Sequence, residues 1–280
     1  TGASFVDTSI ARAKFDNAII TNANFTRATS NGFTEEQLQS TKSFADKNLS
    51  GINFSENDLS GWNFAGQNLS GASFANATLD NLDITGDLSN IDFSDNDVSG
   101  WDFSGKNLSY VKADNTVMTD ANITGANLTG IYLGSFDQLY STKSYKDKML
   151  DGITVSETNF ANIDFRGVSL KNTTFEGMNF SNANFSNANL SGAKISGFDQ
   201  SASKYAGVYS LKNAVFFNAD LTNAELSAGI LENVDFRGAN MTNTKIGESV
   251  SYKNTIMSDG VIKNFKADST SDIYIRKYTP

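Results

Sequence analysis

The sequence predicts an all-β solenoid of four-sided coils with short helical interruptions. Three observations carry this. First, a large apolar residue recurs every fifth position, as in Phe54, Leu59, Phe64, Leu69, Phe74, Leu79 and Ile84. The beat returns from Phe160 to Ile195 and from Leu211 to Ile246. Second, the residue two before each beat is usually small, as in Ala72, Ala77, Ala121, Ala183 and Ala219. Third, Asn or Asp commonly precedes the beat and Ser, Thr or Gly follows it.

A period of five suits neither a helix (3.6) nor a flat strand (2.0). It suits a chain that turns a corner every five residues and sends one large side chain inward per side. Small polar residues fit the corners because they tolerate unusual backbone angles and can bond their own main chain. Four sides make a coil of about 20 residues, and coils stack at about 4.8 Å. Phe54 then lies over Phe74, and Phe64 over Ile84. Ten such coils would make a rod roughly 45–50 Å long.

Between Ile84 and Leu88 the beat shortens by one residue. Allowing for that slip, Trp62, Leu82 and Trp101 share a column, each two before a beat residue. Either the core is widened there to take indoles, or the column is an aromatic platform for sugars. The inward-facing position favours the core.

Three stretches break the beat, dividing the chain into coils at 1–31, 49–133 (with an acidic band at 80–102), 153–196 and 211–261. Residues 32–48 and 134–152 are predicted helical interruptions, 197–210 is a shorter break, and 262–280 is a cap or linker tail. Thr34-Glu35-Glu36-Gln37 and Ser135-Phe136-Asp137-Gln138 are capping-box patterns that open a helix. The two interruptions align at an offset of 101, from Gln37 with Gln138 through Leu49 with Leu150 and on to Leu69 with Leu170. A long module is duplicated above the five-residue scale. Leu38, Phe44 and Leu49 read as anchors, so each interruption is expected to be a distorted coil tied to the core.

Ala126-Asn127-Leu128-Thr129-Gly130 and Ala183-Asn184-Phe185-Ser186-Asn187 carry the pattern A-(D/N)-(L/F)-x-x. In tandem over most of residues 3–265 it resembles the pentapeptide-repeat family. The resemblance implies a right-handed quadrilateral parallel β-helix. Some members of that family resemble DNA in shape and charge and protect DNA gyrase by occupying its DNA site.

Composition narrows the chemistry. The chain has no His and no Cys, which removes the commonest general base, thiolate nucleophiles and Cys-ligated metals. In a repeat array nearly every Asp has an Asp neighbour, so paired carboxylates do not mark a catalytic site. No enzyme activity, catalytic residue, metal site or cofactor is expected. No apolar run is long enough for a membrane span.

The charge is local. Net charge is -9, and residues 49–104 hold nine acids and no Lys or Arg. The candidate interaction band is Asp83, Asp87, Asp92, Asp95, Asp97 and Asp102. No basic face invites direct nucleic-acid binding. The expected role is a non-enzymatic scaffold, structural or binding, within a larger bacterial surface or secreted protein. The alternative is an acidic module for a basic protein partner, DNA mimicry included. Self-association through solenoid ends is the other expected contact. The chain begins at Thr1 rather than Met, which reads as a processed or excised fragment.

Overall fold

A computed structural model describes residues 1–133, 135–156, 159–196, 210–227, 230–247, 250–265 and 276–277. The chain forms two compact units. Unit 1 is Thr1–Asn122 with Gly130–Lys143, and unit 2 is Ile123–Thr129 with Ser144–Pro280. Each is wound as a quadrilateral parallel β-helix.

The five-residue beat is the core. Phe54, Leu59, Phe64, Leu69 and Phe74 are fully buried in unit 1, as are Phe165, Leu170, Phe175, Phe185 and Leu190 in unit 2. Stacked coils bring rings together: Phe185, Phe216 and Phe236 form one stack, with centroids 4.7 and 5.0 Å apart. Phe54 lies 5.9 Å from Phe74, as the register requires.

Each side is held by one two-way bridge. The Asn184 amide donates to the Ile163 carbonyl below, and the Phe185 amide to the Val215 carbonyl above. Only two residues per side pair, so most sides register as isolated parallel bridges. Extended strands appear on some sides. In unit 1, β1 (Lys112–Ala113) pairs with β2 (Tyr132–Leu133). In unit 2 a ladder runs through β3 (Thr154–Ser156), β4 (Thr174–Glu176), β5 (Lys194–Ser196), β6 (Glu225–Ser227) and β8 (Lys245–Ile246). A second sheet joins β7 (Ile230–Glu232), β9 (Ser251–Ile256), β10 (Val261–Phe265) and β11 (Arg276–Lys277). Here β10 runs antiparallel to β9, so a hairpin terminates the parallel ladder where the sequence pattern fades.

The corners explain the polar residues. The second residue after most beats adopts positive φ, as in Gly71 (73°), Asn76 (54°) and Asn182 (59°). A four-residue turn of type II requires positive φ at its third position, where Gly and Asn are least strained. The Asn or Asp before the beat accepts the amide two residues on: Ser55 N to Asn53 Oδ1 is 2.8 Å, and Ser186 N to Asn184 Oδ1 is 3.0 Å. At one corner of unit 2, side-chain amides link coil to coil. Asn182 donates to Asn162, Asn213 to Asn182, Asn233 to Asn213 and Asn254 to Asn233.

The one-residue slip is present: Ser73 bridges Asp92, a step of 19. Gly86 permits it, because a Cβ there would lie 1.7 Å from the Gln67 carbonyl oxygen. The proposed Trp column is corrected in part. Asn63 bridges Asp83, which places Leu82 over Trp62, but among the described residues no bridge joins Asp83 to Asp102. The slip interrupts the ladder on that side. Both indoles are half-buried against core rings, Trp62 on Phe54 and Phe64, Trp101 on Phe93 and Phe103.

The first interruption carries helices α1 (Glu35–Gln39) and α2 (Lys42–Ala45), and the second carries α3 (Phe136–Ser141) and α4 (Lys143–Lys146). Both capping boxes form, at Thr34–Gln37 and Ser135–Gln138. Both interruptions are distorted coils, not free loops. The Asn17 amide donates to Ser40 O, and the Lys42 amide to Ala18 O. Equivalent bonds run from Asp120 to Ser141 and from Lys143 to Ala121. The residues below the interruption differ by 103 between copies (Asn17 and Asp120), those within it by 101 (Ser40 and Ser141). The duplication therefore extends back into the preceding coil. The first copy is two residues longer just before its helix, where Thr29–Asn31 makes a 3-10 turn. The coil step across the interruption shows the same difference, 29 residues from Asn24 to Asn53 and 27 from Asn127 to Thr154. The third break, at 197–210, lies outside the described residues except for Ser210.

Candidate functional site

All six residues of the acidic band lie in unit 1, but they do not converge. Asp83, Asp87, Asp92, Asp97 and Asp102 fall on successive sides of the coil. The bridges to the next coil are in three separate columns: Lys112 bridges Asp92, Val117 bridges Asp97 and Asn122 bridges Asp102. Among the described residues no group of three acids is placed to hold a metal ion.

Four of these carboxylates cap turns. Asp87 accepts the Ser89 amide at 3.0 Å, Asp92 the Ser94 amide at 3.0 Å, Asp97 the Ser99 amide at 2.9 Å and Asp102 the Ser104 amide at 2.9 Å. Asp therefore performs here the task that Asn performs in other coils, with a charge added. Asp95 is different. It is a corner residue at φ 59° and accepts the Asn115 side-chain amide at 3.0 Å.

The caps have an electrostatic consequence. Hydrogen bonds from the Ser99 side chain and then its amide hold the Asp97 carboxyl below its usual range. Those of Ser104 do the same for Asp102. Bonds to the anion favour the charged form. Bases from neighbouring coils approach the edges of the acidic segment. Lys112 Nζ lies 3.5 Å from Asp92, and Arg27 pairs with Glu56 at 3.0 Å and Asp7 at 2.8 Å.

Sequence reasoning named Gln37, Gln138 and Trp62 but missed two features built from them. The first is a pair of glutamines. Gln37 accepts the Thr34 amide and donates to the carbonyls of Ile10 and Ala13 at 2.9 and 2.8 Å. Gln138 accepts the Ser135 amide and donates to the carbonyls of Ala113 and Thr116. Each ties its helix to the coil below. Recurrence of Gln at the third helical position of both copies was the available signal. The second is a groove beside Trp62, formed where α1 overhangs the following coil. Tryptophan at a position usually given to alanine was its signal.

Fold and surface together define a solenoid repeat protein that displays fixed side chains on short rigid sides. The chain belongs to the pentapeptide-repeat family: the family model "Pentapeptide repeats" matches it in 8 copies, over residues 48–86, 102–134, 158–197 and 210–249. Among curated proteins no significant match is found. Solved structures similar to the chain include HetL, a pentapeptide repeat protein involved in heterocyst differentiation regulation from the cyanobacterium Nostoc sp. strain PCC 7120. It is 20% identical, with 81% of this chain and 98% of that chain covered and a TM-score of 0.26. Trypsin-treated QnrB1, a plasmid-mediated fluoroquinolone resistance protein, is 20% identical over 71% of this chain and 82% of that chain, with a TM-score of 0.24. Rfr23, a pentapeptide repeat protein from the cyanobacterium Cyanothece 51142, is 16% identical over 59% of this chain and 87% of that chain, with a TM-score of 0.20.

Proposed function

We propose that the chain is a non-enzymatic scaffold whose acidic band engages a basic protein partner. The observation that carries this is the pinning of Asp87, Asp92, Asp97 and Asp102 by main-chain amides in a segment without Lys or Arg. One oxygen of each caps a turn, and the anion is held in place on a hydrogen-bonded frame. Fixed charges of one sign steer and select a complementary surface without the ordering cost of flexible side chains. The protein-partner reading is preferred to duplex mimicry, because a duplex mimic needs charge spread along the molecule and here it is confined to one segment.

The test is charge reversal at Asp92→Lys with Asp97→Lys, followed by affinity capture from lysate. Loss of specific basic partners supports the band. An unchanged set of captured partners overturns it. For the mimicry reading, excess protein that leaves a gyrase supercoiling assay unaltered ends it. We also place the chain within a larger bacterial surface or secreted protein. The Ser/Thr/Asn-rich repeats support this. Fractionation with an antibody to this segment tests it, and recovery from the cytosol alone would refute it.

A further inference from the structure

The groove beside Trp62 is a separate feature of unit 1 and does not depend on the acidic band. It is a shallow, largely open groove of about 770 Å³. Phe33, Glu36, Glu56, Asp58, Trp62 and Thr78 are among the residues lining it, and no Lys or Arg is. Its shape is set in advance. The Glu35 carboxylate accepts the Asn63 amide at 2.9 Å, which fastens α1 to the next coil. The Asn57 side chain accepts the Thr29 amide at 2.8 Å across the base. Trp62 is half-buried, with its ring 5.9 Å from Phe33 and 6.2 Å from Phe64, so the indole is held in a fixed plane.

The duplicated module supplies an internal comparison. Residues that shape the interruption recur in the second copy: Gln37 as Gln138, Leu38 as Leu139, Ser40 as Ser141 and Thr41 as Thr142. Residues that make the groove recur only in part: Glu36 becomes Asp137 and Glu56 becomes Glu157, while others change. At the same offset of 101, Glu35 becomes Phe136, Asp58 becomes Asn159, Ser60 becomes Ala161 and Trp62 becomes Ile163. Ile163 is fully buried. The fold of the module therefore does without the indole and without the carboxylates of Glu35 and Asp58. Trp62 is only partly buried at a position where the second copy fully buries an aliphatic residue.

We propose that this groove binds a basic peptide segment, with an Arg or Lys side chain lying over Trp62 and its cationic head reaching Glu36 and Asp58. An aromatic face beside carboxylates is matched by a cation on an apolar stem. The stem covers the ring, the ring attracts the cation, and the carboxylates neutralise it. An anionic ligand would meet Glu36 and Asp58, with Glu56 already paired to Arg27 at 3.0 Å.

The experiment uses the full chain with Trp101→Phe, so that Trp62 is the sole tryptophan. Tetra-arginine and tetra-lysine are titrated and followed by tryptophan fluorescence and calorimetry. Tetra-glutamate and a neutral oligosaccharide serve as comparisons. The expected result is a saturable fluorescence change with the cationic peptides. It weakens by about tenfold or more in Glu36→Gln with Asp58→Asn. Asn at position 58 keeps the turn cap, as Asn does elsewhere in the chain, and circular dichroism checks the fold. Asp92→Asn with Asp97→Asn leaves the response in place, which separates this groove from the band and from general attraction to an acidic protein. Three outcomes overturn the proposal: no saturable response to either cationic peptide, equal loss in the two double variants, or a response to the oligosaccharide instead.

Discussion

Gln37 is a place where a single side chain joins a helix to the solenoid beneath it. Its Oε1 accepts the Thr34 amide at 3.0 Å, and its Nε2 donates to Ile10 O and Ala13 O. Gln37→Leu keeps the approximate volume and removes all three bonds. Each is worth about 0.5–1.5 kcal/mol net, so the loss should be about 2–4 kcal/mol. Gln37→Glu separates the two roles. It keeps an acceptor for the Thr34 amide but sets a carboxylate against two carbonyl oxygens. It should therefore cost at least as much as Leu, although it retains the cap.

The assay is urea denaturation combined with native-state hydrogen exchange. The loss should be local, because coils in a solenoid contact mainly their neighbours. The amides of Leu38 and Ser40, bonded within the first interruption, should lose protection first. Amides of unit 2, such as Phe216, should keep theirs. If Gln37→Glu matches the parent to within about 0.5 kcal/mol, the two carbonyl bonds do not hold the helix down, and the reasoning fails.

Further outcomes follow from the core, the slip and the caps. Phe216→Ala opens the Phe185–Phe216–Phe236 stack and should cost about 3–5 kcal/mol in urea unfolding, with protection lost first around residues 185 and 236. Gly86→Ala should lower the thermal midpoint markedly, because its Cβ meets backbone, not a side chain that can swing away. A silent Gly86→Ala would show that the slip is looser than the geometry implies. Asp97 and Asp102 have folded pKa values below the reference of 3.8. A depressed carboxyl adds stability that is complete above its unfolded value and is lost as pH falls through the folded one. Stability should thus decline below about pH 3.8, and Asp97→Asn with Asp102→Asn should flatten that decline while keeping both caps. Urea midpoints measured from pH 2 to pH 7 check it, and an unchanged slope would refute it.

Much of the architecture was legible in the chain because solenoid contacts are periodic. A side chain on the beat at Phe54 meets Phe74 twenty residues on, so the sequence itself encodes the neighbour list. The slip at residues 84–88 and both capping boxes were legible for the same reason, since each is a local departure from a rule. The candidate site was less legible. The band of acids could be named, but not that Asp87, Asp92, Asp97 and Asp102 spend one oxygen each on a turn amide while facing different sides. That depends on the direction of each side, which residue identity does not report.

The sequence by itself determined the coil length, the inward column of large residues, the helix starts and the duplicated module, because all of these are set by local spacing. Tertiary structure decided what crosses between coils over irregular steps. It showed that Gln37 reaches back to Ile10 and Ala13, that the duplication runs back to Asn17 and Asp120 at a shifted offset, and that the Trp62–Leu82 column stops at the slip. It also placed Glu36, Asp58 and Trp62 along one groove. Those contacts lie off the five-residue beat, since a helix had replaced part of a coil side and broken the period from which neighbours could be counted.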